Sequence, residues 1–220
     1  MKRSEVNEYI TYALQFMAEH KFHLPPWATW SPSDWEGLKE PCREIFENGL
    51  GWDITDFGSG DFLKIGLTLI TLRNGNLEKP SKTYCEKIMV VRNNQVTPLH
   101  YHVIKTEDII NRGGGRLCMK LWNSTKEGSL SDDFLEVKID GILNKVRAGT
   151  KICLEPGQSI CYTPFLYHTF WAEEGDCLVG EVSSVNDDKN DNCFLEKRGR
   201  YAEIDEDAPI LHYLCNEYSQ

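Results

Sequence analysis

His100 and His102 stand two residues apart in the run Pro98-Leu99-His100-Tyr101-His102-Val103-Ile104-Lys105-Thr106-Glu107. An extended strand points residues i and i+2 to one face, so the two imidazoles project together while Tyr101 faces away. Side by side, two neutral imidazoles can share one divalent cation. Glu107 lies an odd number of steps beyond His102 and would face the wrong side of a regular strand, so a bend or bulge near Thr106 must bring its carboxylate round. The third histidine candidate is His168, in Pro164-Phe165-Leu166-Tyr167-His168-Thr169-Phe170-Trp171, on a strand able to pair across the same barrel. Three imidazoles and one carboxylate leave two positions of an octahedral shell open. Such a site suits Mn²⁺, Fe²⁺, Ni²⁺ or Zn²⁺ and invites a bidentate oxygen ligand from a substrate. His20, His23 and His212 have no such partners and read as structural.

These side chains need a scaffold, and 220 residues with 40% hydrophobic content suffice for one domain with a genuine core. Val6, Ile10, Ala13, Leu14 and Met17 recur at helical spacing behind Ser4 as N-cap, which predicts an amphipathic helix over residues 5–19. Ser31-Pro32-Ser33-Asp34 signals a second helical region that Pro41 breaks, with a short helix restarting before Gly49. From about residue 60 the texture changes. Residues 62–72, 84–91, 96–104, 116–122, 135–139, 152–154, 159–163, 167–172 and 177–185 are short β-branched and aromatic segments. Asn74-Gly75, Asn93-Asn94, Asp140-Gly141, Pro156-Gly157 and Glu174-Gly175 punctuate them, and Gly113-Gly114-Gly115 reads as a tight turn between strands. Nine short strands without intervening helices predict a mainly β antiparallel sandwich or barrel with N-terminal helices. The expected organisation is a helical extension (1–58) packed on a barrel (59–185), then a C-terminal segment (186–220) that is either a solvated loop or an excursion over the barrel mouth.

With 24 Lys+Arg against 34 Asp+Glu, the net charge of −10 would be repelled by phosphate backbones and anionic lipid, so neither nucleic acid nor membrane is an expected partner. The most apolar stretch, residues 65–72, is far short of a bilayer span, and Met1-Lys2-Arg3 is not followed by the apolar run of a signal peptide. A cytoplasmic protein is expected. The eight cysteines form no C-x-x-C pair and mostly sit in apolar runs, so they are expected to be reduced, largely buried thiols and not zinc ligands.

His100-x-His102-x4-Glu107-x6-Gly114 resembles the first motif of the cupins, and Pro164 leading to His168 resembles the second. With the helix at residues 1–19, the run 100–115, the stretch Glu181-Val182-Ser183-Ser184-Val185-Asn186-Asp187-Asp188 and the closing run 199–207, the chain resembles the D-lyxose isomerases over nearly its whole length. That resemblance implies a cupin-type jelly-roll barrel whose metal ligands are His100, His102, Glu107 and His168. It also implies Mn²⁺, with Zn²⁺, Co²⁺, Ni²⁺ or Fe²⁺ as substitutes, a homodimer, and interconversion of the monosaccharides D-lyxose and D-xylulose, with D-mannose and D-fructose as secondary substrates. Such an isomerase polarises a carbonyl and carries a proton between neighbouring carbons. Lys105 turns inward with the bend that recruits Glu107 and could donate to a sugar oxygen. For the base, Glu203 is the first choice and Glu206 the second, if residues 186–207 cover the mouth; Glu181 is also available. Arg112 could meet distal hydroxyls. Rival readings are a cupin-type phosphosugar isomerase, to which Arg112, Arg116 and Lys120 lend some support, an Fe(II) cupin dioxygenase using the same ligands, and a non-catalytic binding protein.

Overall fold

A strand covered on both faces reads as a nearly unbroken apolar run, and β2 (Leu67–Arg73) and β3 (Tyr84–Val91) are such strands. Leu67, Leu69, Met89 and Val91 face the barrel interior, while Ile70, Leu72, Ile88 and Val90 face outward onto the N-terminal helix. This computed structural model describes residues 1–79, 82–188, 190–196, 198–199 and 201–218, so Lys189, Lys197 and Arg200 of the charged tail lie outside the described residues. The other strands are β1 (Gly51–Thr55), β4 (Val96–His102), β5 (Glu107–Asn123), β6 (Phe134–Ile139), β7 (Ile142–Arg147), β8 (Ile152–Leu154), β9 (Ser159–Tyr162), β10 (Leu166–Ser184) and β11 (Asn192–Phe194). All are paired antiparallel in one hydrogen-bonded network.

Two long strands make this network a two-walled jelly roll. Residues 177–184 of β10 pair with β3 and with the start of β5; residues 166–173 pair with the end of β5 and with β4. One wall therefore runs β1-β2-β3-β10-β5-β9-β6-β7, and the other joins β11, β4, β10, β5 and β8. The sequence predicts three shorter strands here, 116–122, 167–172 and 177–185, with the glycine run as a turn. The run is instead the bend inside β5. A Cβ on Gly114, at φ +89°, would lie 2.1 Å from the Asp176 carbonyl oxygen, and one on Gly115 2.4 Å from that of Glu173. Only glycine lets the two backbones approach this closely. Asp140 and Gly141 both have positive φ and join β6 to β7 in a tight hairpin.

Helix α1 (Arg3–Glu19) buries Val6, Ile10, Ala13 and Met17 against Trp52, Ile54, Ile70 and Val90 on the outer face of the first wall. Val6, Ile10 and Met17, buried there, each contribute ~1.5–3 kcal/mol. Its N-terminus lies two residues earlier than the Ser4 cap implied: the Lys2 amide donates to Glu5 Oε2 at 2.7 Å, and the Ser4 hydroxyl donates to Asp207. Pro32–Trp35 is a 3-10 turn and Arg43–Glu47 a short helix, α2. Strand β1 falls inside the segment expected to be helical and joins the sheet beside β2.

The cysteine expectation is corrected at one pair. Cys118 on β5 lies directly opposite Cys153 on β8, and the two are joined by a disulfide. That register, fixed by tertiary pairing, is invisible in their 35-residue separation. Cys85 and Cys177 are buried thiols, and Cys42, Cys161 and Cys193 are half-buried.

Candidate active site

His100 and His168 face each other across β4 and β10 in direct register. Between His168 and Phe170 the register shifts, because β4 bulges at Pro98-Leu99, where proline has no amide to donate to a ladder. The bulge and the i, i+2 alternation bring the donor atoms of His100, His102 and His168 within 4.8 Å of one another. The Nδ1 atoms of His100 and His168 lie 2.8 and 3.0 Å from the carbonyls of Pro98 and Leu166, two residues back along each strand. Those carbonyls can only accept, so each Nδ1 carries the proton and each Nε2 keeps its lone pair for the centre. Burial, reinforced by the neighbouring imidazoles, holds His100 well below the ordinary histidine range; burial pushes His168 down to about 4 against the opposing pull of Glu107. Both rings are neutral at physiological pH, the state in which imidazole ligates a metal.

The chain leaves β4 at His102, bends through residues 103–106 and re-enters the sheet at Glu107, the first residue of β5. This is the bend that the histidine-to-glutamate spacing demanded. Glu107 Oε1 lies 3.3 Å from His102 Nε2 and 3.4 Å from His168 Nε2, while Oε2 accepts from Lys105 Nζ at 2.6 Å. Burial alone would raise this carboxyl, but Lys105 and the imidazoles outweigh it and hold it well below the usual carboxylate range. Neutral imidazoles converging with an ionised carboxylate are a donor set that fits a first-row divalent cation.

Beyond Lys105 the charges alternate. Its ammonium also donates to Glu181 Oε1 at 2.9 Å, and the same oxygen lies 3.3 Å from Lys87 Nζ, which donates in turn to Asn186 Oδ1 at 2.7 Å. Lys87, Lys105, Glu107 and Glu181 are all at least 95% buried. Burial lowers both ammonium pKa values, but the carboxylates overcome it, Glu107 and Glu181 for Lys105 and Glu181 for Lys87, so both are raised and both lysines stay charged. Among the described residues, the polar contacts of Glu181 all fall on Oε1. The cavity here is lined by these groups and the histidines, by Asp188 and Asn192 of the tail, by the rings of Phe57, Phe170 and Phe194, and by Thr97. The Thr97 hydroxyl is buried and, among the described residues, has no hydrogen-bond partner.

Lys105 and the four expected ligand residues therefore meet in one cavity. Glu203 and Glu206 do not. Glu203 is exposed, and its carbonyl accepts from the Met1 amino group at 3.0 Å. Arg3 donates to the Glu206 carboxylate, and a parallel bridge between Lys2 and Asp205 fastens this part of the tail beside α1. Among the described residues of the tail, Asp188, Asn192 and Phe194 reach the cavity. Arg112 is exposed, its side chain packed over Gly180, and neither Arg116 nor Lys120 lines the cavity. Sequence reasoning missed Lys87, although a signal was there: it shares the inward parity of Cys85, Met89 and Val91, an otherwise apolar face.

The D-lyxose isomerase family model matches residues 1–218 of the chain. The chain belongs to the D-lyxose isomerase family. The D-lyxose/D-mannose isomerase of Escherichia coli O157:H7 is 52% identical over 225 residues, covering 100% of this chain and 99% of that protein. That of Serratia proteamaculans is 50% identical over 223 residues, covering 99% and 98%. Among solved structures, the L-ribose isomerase of Geodermatophilus obscurus superposes with a TM-score of 0.62 at 15% identity, over 93% of this chain and 98% of that one. That of Acinetobacter sp. DL28 in complex with L-ribose superposes at 0.59 and 14% identity, over 89% and 93%. These two likenesses show the cupin-like fold alone. This member of the family is an aldose–ketose sugar isomerase acting on a monosaccharide, and the dioxygenase and non-catalytic readings fall away. Among the described residues no helix is long and apolar enough to cross a membrane.

Proposed function

We propose that the enzyme interconverts D-lyxose and D-xylulose, and also D-mannose and D-fructose, with Glu181 as the base and Lys105 as the acid. The observation that carries this reading is the position of Lys105, between Glu107 at 2.6 Å and Glu181 at 2.9 Å, on the edge of the histidine cluster. The substrates follow the names of the curated relatives. In this reading His100, His102, Glu107 and His168 hold a divalent cation, Mn²⁺ before Zn²⁺, Co²⁺, Ni²⁺ or Fe²⁺. When bound, the cation supplies Lewis-acid polarisation of the sugar carbonyl and offsets charge on its oxygens. The family likeness also supports a cytoplasmic homodimer.

Glu181 Oε2 removes the proton from C2 of the open-chain aldose, and the C–H electrons form the C1–C2 double bond. Lys105 Nζ gives a proton to O1, which yields an enediol. The O2 proton then returns to Lys105, C2–O becomes the carbonyl, and Glu181 delivers its proton to C1. Both groups end as they began. Lys87 and Lys105, both on Oε1, fix the carboxylate while leaving Oε2 for the carbon acid. The direct test is turnover of D-lyxose by chelator-stripped protein under nitrogen. Negligible turnover that Mn²⁺ restores is expected, and metal-independent activity would overturn the ligand set.

The unpartnered Thr97 hydroxyl carries a second expectation. A buried hydroxyl without a partner costs stability until a ligand satisfies it, and a sugar hydroxyl is suited to do so. Thr97→Val, nearly isosteric, raises KM for D-lyxose by ~2–10-fold, the equivalent of one hydrogen bond of ~0.5–1.5 kcal/mol. Its melting temperature stays level or rises. Unchanged KM would place the sugar elsewhere in the cavity.

A further inference from the structure

We infer that Asp191 is a positioning residue for His102, whose Nδ1–H it receives when Nε2 is engaged by the metal; this rests on the ligand set proposed above. Two of the three ligand imidazoles are oriented by a carbonyl of their own strand, Pro98 for His100 and Leu166 for His168. His102 has no such anchor. Its Nδ1 is buried without a hydrogen-bond partner among the described residues, and Asp191 Oδ2 lies 3.7 Å away. That separation exceeds a hydrogen bond, and a small rotation of the imidazole closes it. The carboxylate is held in place for this. Oδ1 accepts from the Ile104 amide at 2.7 Å, Oδ2 from the Lys105 amide at 3.2 Å, and the Asp191 carbonyl from the Val103 amide at 3.2 Å. Asp191 is 5% exposed and immediately precedes β11, which pairs with β4 so that Asn192 sits opposite His102. The acid thus ties the tail to the bend between His102 and Glu107. A carboxylate behind a ligating imidazole fixes its tautomer, holds its plane and makes the ring a stronger donor. His102 is the one ligand histidine supplied with an anionic anchor instead of a carbonyl.

The experiment titrates Mn²⁺ into metal-stripped wild type, Asp191→Asn and His100→Ala, following the electron paramagnetic resonance of the free ion. The asparagine oxygen still accepts from Ile104, so the bend is retained while the negative charge is lost. Expected for Asp191→Asn is a Mn²⁺ dissociation constant ~10–100-fold above wild type, with kcat largely restored at saturating Mn²⁺. Wild-type Mn²⁺ affinity, or a kcat deficit that added metal does not rescue, would overturn the inference and assign Asp191 to the bend alone. If His100→Ala also binds like wild type, the ligand set itself is wrong and the inference falls with it; if His100→Ala loses Mn²⁺ while Asp191→Asn does not, only the inference falls. Should Asp191→Asn fail to fold, nitrogen-15 spectra of the Zn²⁺-loaded wild-type enzyme decide. A proton on His102 Nδ1 supports the role, and one on Nε2 removes it.

Discussion

Glu181→Gln lowers kcat for D-lyxose by ~10²–10⁴-fold, the range expected when a positioned general base is removed. The amide keeps the shape of the carboxylate and can still accept from Lys105 and Lys87, so sugar binding and KM change little. What disappears is a site for the C2 proton. No other carboxylate in the cavity can substitute without cost: Glu107 is tied to Lys105 and faces two imidazoles, and Asp188 approaches Lys87, with 4.0 Å between the charged atoms. The substitution also leaves two buried ammonium groups sharing one fewer counter-charge, so the midpoint of thermal unfolding falls. Turnover is therefore compared well below that midpoint, on protein shown to be folded. A kcat within tenfold of wild type would eliminate Glu181 as the base. Glu203→Gln is the matched control, and full activity is expected, because that side chain is exposed beside the N-terminus.

His168→Gln abolishes the response to metal. Wild type with Mn²⁺ at a hundred times its dissociation constant gains ~2.7 kcal/mol of stability by mass action, and this gain vanishes in the variant. Activity at the same Mn²⁺ concentration drops ~10³-fold, as when ~4 kcal/mol of transition-state stabilisation is lost. His168 is 1% exposed and stacks on Tyr162 with ring centroids 4.4 Å apart, so a side chain of similar reach limits the packing loss. Differential scanning calorimetry with and without Mn²⁺ reads the first effect, and initial rates read the second. A preserved metal-induced shift in the variant would take His168 out of the ligand set.

Local sequence carries the convergence of the proposed ligand residues well. The alternation that joins His100 to His102 is a property of any strand, and the odd spacing to Glu107 required the bend found at residues 103–106. Parity also turned Lys105 inward correctly. The proposed acid–base side is harder, because Glu181 becomes a neighbour of Lys105, 76 residues away in the chain, only through pairing of β10 with β3 and β5. Glu203, the first choice from sequence, is one acid among several in a charged tail. The deciding contact, the Met1 amino group on its carbonyl, spans 202 residues. The sequence predicts three short strands where these two long ones run, because turn-forming residues ordinarily end strands. Here Gly113–Gly115 and Glu174-Gly175 bend strands that continue. The Cys118–Cys153 bridge was hidden for the same reason: opposition across a sheet leaves no trace in spacing.

Because β5 and β10 run through both walls, the walls are joined along shared backbone and not by side-chain packing alone. Glu107 leads into one of these strands, and His168 and Glu181 stand 13 residues apart on the other, either side of the Gly175 bend. The distance between the proposed metal and the proposed base is therefore a matter of strand curvature, set by how sharply the glycines let the backbone fold over. Curvature of this kind acts as a built-in gauge. Altering it would retune the spacing between the two halves of the chemistry without touching any group that performs it.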